Sequence, residues 1–115
     1  NTEFKFIPYS NPALQFLKEK KKKTILVFTA KWCLVCEAQN KILFDDQEII
    51  NLIKNNEINV VKADLTNKDF DVTNLLKTYG RNSVPYYVLI NGDEENIQTD
   101  YLGKAELKGW ILSKN

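Results

Sequence analysis

The stretch that most constrains the fold is Thr24-Ile25-Leu26-Val27-Phe28-Thr29, which leads through Ala30-Lys31-Trp32 directly into Cys33-Leu34-Val35-Cys36. It is β-branched, aliphatic and aromatic with almost no polar alternation, as expected of a central strand buried on both faces. A strand of that kind needs partners on both edges and cover above and below. The chain around it has to supply a sheet and helices for both sides of that sheet.

The rest of the sequence supplies them. Phe4 to Ile7 reads as a short edge strand closed off by Pro8. Asn11 followed by Pro12 starts a helix running to about Lys21, with Asn11 as cap and Pro at the first helical position. From Cys33 the pattern turns helical, with Val35, Ala38 and Ile42 spaced to bury one side, and it breaks near Phe44. Asp45-Asp46-Gln47-Glu48 offers a capping box for a second helix carrying Ile49, Ile50, Leu52 and Ile53. Ile58 to Leu65 is a buried strand, and Val72, Leu75, Leu76 and Tyr79 mark one face of a helix stopped by Gly80. Tyr86 to Ile90 is a strand, Asn91-Gly92 a tight turn, and Ile97 to Leu102 its antiparallel return. Lys104 to Ser113 closes the chain as a helix. This order predicts an α/β protein with a mixed central sheet flanked by helices on both faces.

At 115 residues the chain fits one domain, residues 1–115, built on one core. The apolar stretches Thr24 to Ala30 and Val84 to Ile90 are about a third of the roughly 20 residues that a membrane-crossing helix needs. Sixteen basic against fifteen acidic residues leave a net charge of +1, too balanced for a dedicated nucleic-acid binder. The run Lys20 to Lys23 reads as a solvated helix end whose cations suit the helix dipole. No Met is present, so the chain is expected to be a processed form or a piece excised from something longer.

Two cysteines permit one bridge, and their C-x-x-C spacing argues against a structural role. Closing so short a loop stabilises little. A zinc site wants four ligands, and a chain without His or a third Cys cannot supply them, so no metal is expected. Disulfide exchange instead needs a reachable thiolate and a second thiol nearby to displace the bound partner. Cys33 at a helix start faces unpaired amides and the positive end of the dipole, which favour its thiolate and make it the nucleophile. Cys36, one turn in and more buried, resolves the mixed disulfide. Trp32 is either a core aromatic or, beside the nucleophile, a flat surface that shields the thiol and receives a partner chain. Val84-Pro85 begins a strand and also suits a cis peptide, an isomer that spacing leaves open.

Phe28-Thr29-Ala30-Lys31-Trp32-Cys33-Leu34-Val35-Cys36, the later Val84-Pro85 and Gly103 before the last helix resemble the thioredoxin superfamily. Within it the chain is most similar to the C-terminal domain of DsbD, a bacterial inner-membrane protein that carries reducing equivalents to the periplasm. That likeness rests on the aliphatic pair between the cysteines, on Phe44-Asp45-Asp46 before a second helix, and on Asp64-Leu65-Thr66-Asn67 before a Leu-Leu-Lys helix. The resemblance implies a thioredoxin-like fold, Pro85 in cis beside the cysteines, and a backbone at Val84 that pairs with an extended partner segment. It also implies a periplasmic location, a membrane-embedded electron donor, and acceptors that are disulfide-bearing protein domains. No cofactor is expected beyond the Cys33–Cys36 disulfide itself.

Two departures from the family pattern stand out. Val27 occupies the place of a buried acid six residues before the first cysteine, and Asn40 that of a Glu four residues after the second. Glu37 and Glu3 are the acids that could compensate, while Ser83 and Tyr86 replace the family's usual Gly and Thr around Val84-Pro85. With no His to stabilise the thiolate, a reducing potential and a reductase or electron-relay role are expected. The alternatives are a free-standing thioredoxin-like reductase and a binding or chaperone module with incidental cysteines. A monomer is expected, because no long apolar stripe is left over once the core is assigned.

Overall fold

In the computed structural model, which describes residues 4–113, the stretch after Lys22 is the middle of a five-stranded sheet. The elements in chain order are β1 (Ile7–Pro8), α1 (Asn11–Glu19), β2 (Lys23–Thr29), α2 (Leu34–Phe44), α3 (Gln47–Asn55), β3 (Asn59–Asp64), α4 (Phe70–Thr78), β4 (Tyr86–Asn91), β5 (Glu94–Thr99) and α5 (Lys104–Leu112). The strands lie in the order β1-β3-β2-β4-β5. β2 pairs in parallel with β3 and antiparallel with β4, while β5 returns antiparallel on β4. The expected mixed sheet with helices on both faces is what the chain forms.

Strand alternation divides the interior in two. Ile25 and Val27 of β2, Val60 of β3, and Tyr87 and Leu89 of β4 face α2, α3 and α5, where Leu43, Ile49, Ile53, Leu107 and Trp110 close over them. Leu26, Phe28, Val61, Ala63, Tyr86 and Val88 face the other way, onto Leu14 and Leu17 of α1 and Val72 and Leu76 of α4. Removing the fully buried ring of Phe28 would cost about 3–5 kcal/mol in lost transfer energy and cavity. Among the described residues, no helix is long and apolar enough to cross a membrane.

Several local readings are corrected. The α1 cap is Ser10, whose side chain accepts from the Ala13 amide, rather than Asn11. Both residue types cap well, so the sequence alone leaves a one-residue ambiguity. The edge strand is confined to Ile7 and Pro8, and Phe4 and Phe6 instead pack edge-to-face against Phe44. Asp46 alone caps α3, accepting from the Ile49 amide, while Asp45 ends α2. The hairpin loop is Gly92-Asp93, with Gly92 at φ +63°, and β5 starts at Glu94. Charged residues suit an edge strand, and a register shift at Leu89/Ile90 leaves Asn96 free to accept from the Trp110 indole.

Lys23 does not belong to a solvated run. Its ammonium donates to the carbonyls of Trp110 (2.8 Å), Ile111 (3.2 Å) and Ser113 (2.7 Å) at the end of α5, and it lies over the Trp110 ring. The largest correction concerns α2. Val35, Ala38 and Ile42 are exposed, and the buried face consists of Cys36, Leu43 and Phe44, with Gln39 and Asn40 half-buried beside them. The inner amides hold their places because they hydrogen-bond to the sheet and to the loop after β5.

Candidate active site

Three chain segments meet at one end of the sheet: the exits of parallel strands β2 and β3, and the start of β4, which runs the opposite way. The buried run of β2 fixes where the chain leaves the sheet. The Cys33 amide then donates to Ala30 O (3.2 Å), turning the backbone into α2. Cys33 is the N-cap of α2, with extended backbone (φ −97°, ψ 104°), and its Sγ accepts from the Cys36 amide at 3.2 Å. The expected nucleophile is therefore half-buried at a helix N-terminus, where an amide and the dipole both favour negative charge on sulfur. Cys36 is fully buried one turn in, and the two cysteines are joined in a disulfide with Cα atoms 5.2 Å apart.

Val84 reaches the same point from β4. Its carbonyl oxygen lies 3.7 Å from Cys33 Sγ, close enough to accept from the thiol when the pair is reduced. The Val84–Pro85 peptide bond is cis, and both residues are half-buried beside the cysteines.

Trp32 is more than half exposed, so it is not a core aromatic. It is nonetheless fixed: its indole donates to Thr66 O (3.0 Å), and the neighbouring Lys31 amide donates to Thr66 Oγ1 (2.9 Å). The Thr66 hydroxyl and amide in turn donate to Asp64 Oδ1. Burial pushes the Asp64 carboxyl up, but the Thr66 bonds and the charges of Lys62 and Lys31 outweigh it and leave the pKa below the ordinary aspartate value. Asp64 and Thr66 thus form a hub that orients Trp32. In the sequence they stand in Asp64-Leu65-Thr66-Asn67, where the Asp-x-Thr spacing at the end of β3 allows an Asx-type turn.

The places of the missing acids are filled by neutral groups. Val27 is wholly buried among apolar side chains. Asn40, one turn beyond Cys36 on the inner side of α2, accepts from the Tyr87 hydroxyl (2.8 Å) and donates to Thr29 Oγ1 (3.0 Å). Tyr87 is fully buried, and burial raises its pKa well above the usual tyrosine value, so this chain of groups carries no charge at neutral pH. Glu37 is exposed in the first turn of α2, and Glu3 lies outside the described residues. Ser83 is exposed, whereas Tyr86 is buried, its ring against Phe28 and under the Arg81 guanidinium. Among the described residues, no group of three or more His, Cys, Asp or Glu side chains could hold a metal ion.

Comparison with known proteins agrees with this geometry. No curated protein sequence matches the chain. Its fold is that of solved thioredoxins. A Thermus thermophilus thioredoxin superposes with a TM-score of 0.70 at 17% identity, over 94% of this chain and 85% of the other. The C-terminal domain of Neisseria meningitidis DsbD, in its reduced form, gives 0.66 at 17% identity, over 91% and 96%. A protein described as DsbH oxidoreductase gives 0.72 at 18% identity, over 96% and 87%. A thioredoxin-like family model matches residues 6–92, a span that holds the C-x-x-C pair and the cis proline. Cys33 as the N-cap of α2, a buried Cys36 and this fold support thiol-disulfide oxidoreductase chemistry, and the chain belongs to the thioredoxin-like family.

Proposed function

We propose that the protein is a protein-disulfide reductase or electron relay whose working form is the reduced Cys33/Cys36 pair. The observation that carries this reading is the N-cap geometry of Cys33, with the Cys36 amide on its sulfur and Cys36 buried behind it. The Cys33 thiolate attacks one sulfur of a partner disulfide, forming a mixed disulfide and expelling the partner's other sulfur as a thiolate. Cys36 then loses its proton and attacks Cys33 Sγ, which forms the Cys33–Cys36 disulfide and releases the second partner thiolate. The partner gains two electrons and the protein loses two. A dithiol donor returns them by the reverse sequence.

A helix terminus and one amide stabilise the thiolate moderately, and the chain contains no His to add to them. That supports a reducing potential. The likeness to the DsbD C-terminal domain, together with the aliphatic Leu34-Val35 pair, supports a periplasmic relay that takes electrons from a membrane-embedded donor and passes them to disulfide-bearing domains. Trp32, Val84 and Pro85 form the surface against which the partner's cysteine segment lies.

The test is equilibration of the protein with defined thiol and disulfide buffers, followed by quantification of the Cys33–Cys36 disulfide. A potential near about −270 mV supports the reductase reading, and one near about −120 mV overturns it in favour of an oxidase.

A further inference from the structure

The outer face of α2 carries an apolar surface that the folded chain does not use. Leu34, Ala38 and Ile42 stand at successive four-residue steps with Val35 beside them, all exposed. At about 100° per residue they fall within roughly 100° of the helix circumference, on the side away from Cys36 and Leu43. Gln39, at the edge of this arc, donates to Asp100 O at 3.4 Å, which brings the exposed Tyr101 alongside. Glu37 and Lys41 border the other edge, one of each sign, so the surface has no charge preference of its own. An uncovered apolar patch of this kind marks a contact surface.

We propose that this face, from Leu34 to Ile42 with Tyr101, docks an apolar ridge of the partner protein whose disulfide Cys33 opens; the inference rests on the disulfide-exchange reading above. The occupant follows from continuity with the redox site. Leu34 directly follows Cys33 and is 83% exposed, so a partner chain bonded to Cys33 Sγ comes within reach of it. The same apolar face then runs on without a break to Ile42, about 12 Å further along the helix. A small disulfide covers only the Cys33 end. A folded partner with an apolar helix or ridge leading away from its cysteine covers the whole face. Because the border charges cancel, that preference depends little on salt.

The experiment uses the reduced protein and three thionitrobenzoate mixed disulfides as probes. Two are net-neutral helical peptides of about 16 residues with the labelled Cys at the N-terminal end, one carrying a Leu stripe and the other Ser at the same positions. The third is the glutathione adduct. The Leu-stripe peptide is expected to react at least about tenfold faster than the Ser peptide. Ala38→Glu and Ile42→Glu, both at exposed positions that tolerate the change, should bring that ratio close to one and leave the rate with the glutathione adduct unchanged. Equal rates for the two peptides, or a ratio that survives both substitutions, overturns the proposal. A dimer in sedimentation that Ile42→Glu abolishes assigns the face to a second copy, and vesicle binding lost in the same variant assigns it to lipid; either overturns it as well. No reaction with the glutathione adduct overturns the disulfide-exchange reading itself.

Discussion

Deleting one oxygen atom, the Tyr87 hydroxyl, tests how the helix that carries Cys36 is held. In Tyr87→Phe the ring stays packed between β2, α2 and α5, so the loss is confined to the 2.8 Å bond donated to Asn40 Oδ1. A neutral hydrogen bond contributes about 0.5–1.5 kcal/mol net, and an acceptor left without a donor costs about 1–3 kcal/mol if dry. Asn40 is half-buried and lines a cleft with Glu37, Lys41 and Lys62, so water reaches it and the lower end applies. The expected loss is about 1.5 kcal/mol, or about 6 °C in Tm for a chain of this size. Asn40→Ala loses both of its bonds and should cost about 2–3 kcal/mol, leaving the wholly buried Tyr87 hydroxyl without an acceptor. In that background Tyr87→Phe should cost nothing, or return about 1 kcal/mol, because it removes the orphaned group. Urea unfolding of the oxidised protein at pH 6 and pH 9 reads the cycle. Burial raises the Tyr87 pKa, so the result should be the same at both. An equal cost of Tyr87→Phe with and without Asn40 would refute the coupling on which this rests.

Three further outcomes follow from the local chemistry. Lys23→Met withdraws a donor from three carbonyls at the end of α5; burial also lowers the Lys23 pKa, so desolvation offsets part of the gain and a net loss of about 1 kcal/mol is expected in urea melts. Asp46 is held below the ordinary aspartate pKa by hydrogen bonds from Lys104 and the Ile49 amide, so its stabilisation is present above the unfolded-state pKa and lost as pH falls through the folded one. Tm should fall across that acid range in the parent and less steeply in Asp46→Asn. Thr66→Val removes the hydroxyl that accepts from the Lys31 amide and donates to Asp64 but keeps the carbonyl that accepts from the indole, so the loop that holds Trp32 loosens around it. Trp32 fluorescence anisotropy should drop and disulfide reduction slow several-fold, while Cys36 stays inaccessible to alkylation in the reduced form.

The elements were legible wherever hydrophobic pattern and burial coincide. β2 and β4 have no polar interruption because both their faces are covered, and α4 presents Val72 and Leu76 at the period of one buried face. α2 misled for a physical reason: its inner side is occupied by Asn40 and Gln39, whose partners Thr29, Tyr87 and Asp100 lie far away in sequence. Periodicity counts apolar residues and is blind to a polar group that is satisfied only after folding. The same limit hid Thr66 behind Trp32, and Lys23 at the end of α5. Cys33, Cys36 and Val84 could be read because C-x-x-C chemistry and the start of a buried strand are local properties.

The direction of the strands also gives the molecule two unlike poles. β2 runs about 20 Å from Lys23 to Thr29, away from one and toward the cysteines at the other. β1 is parallel to β3, and Phe4, just before it, lines a cleft with Ile58 and Asn59 at the pole where β3 begins. Ser113 is bonded to Lys23 at that same pole, and the Gly92 turn sits there against Lys21. Phe4 and Ser113, the first and last described residues, thus both lie at the back of the molecule. The cysteine face at the opposite pole is left clear of both, so the proposed exchange with partner disulfides is not obstructed by them.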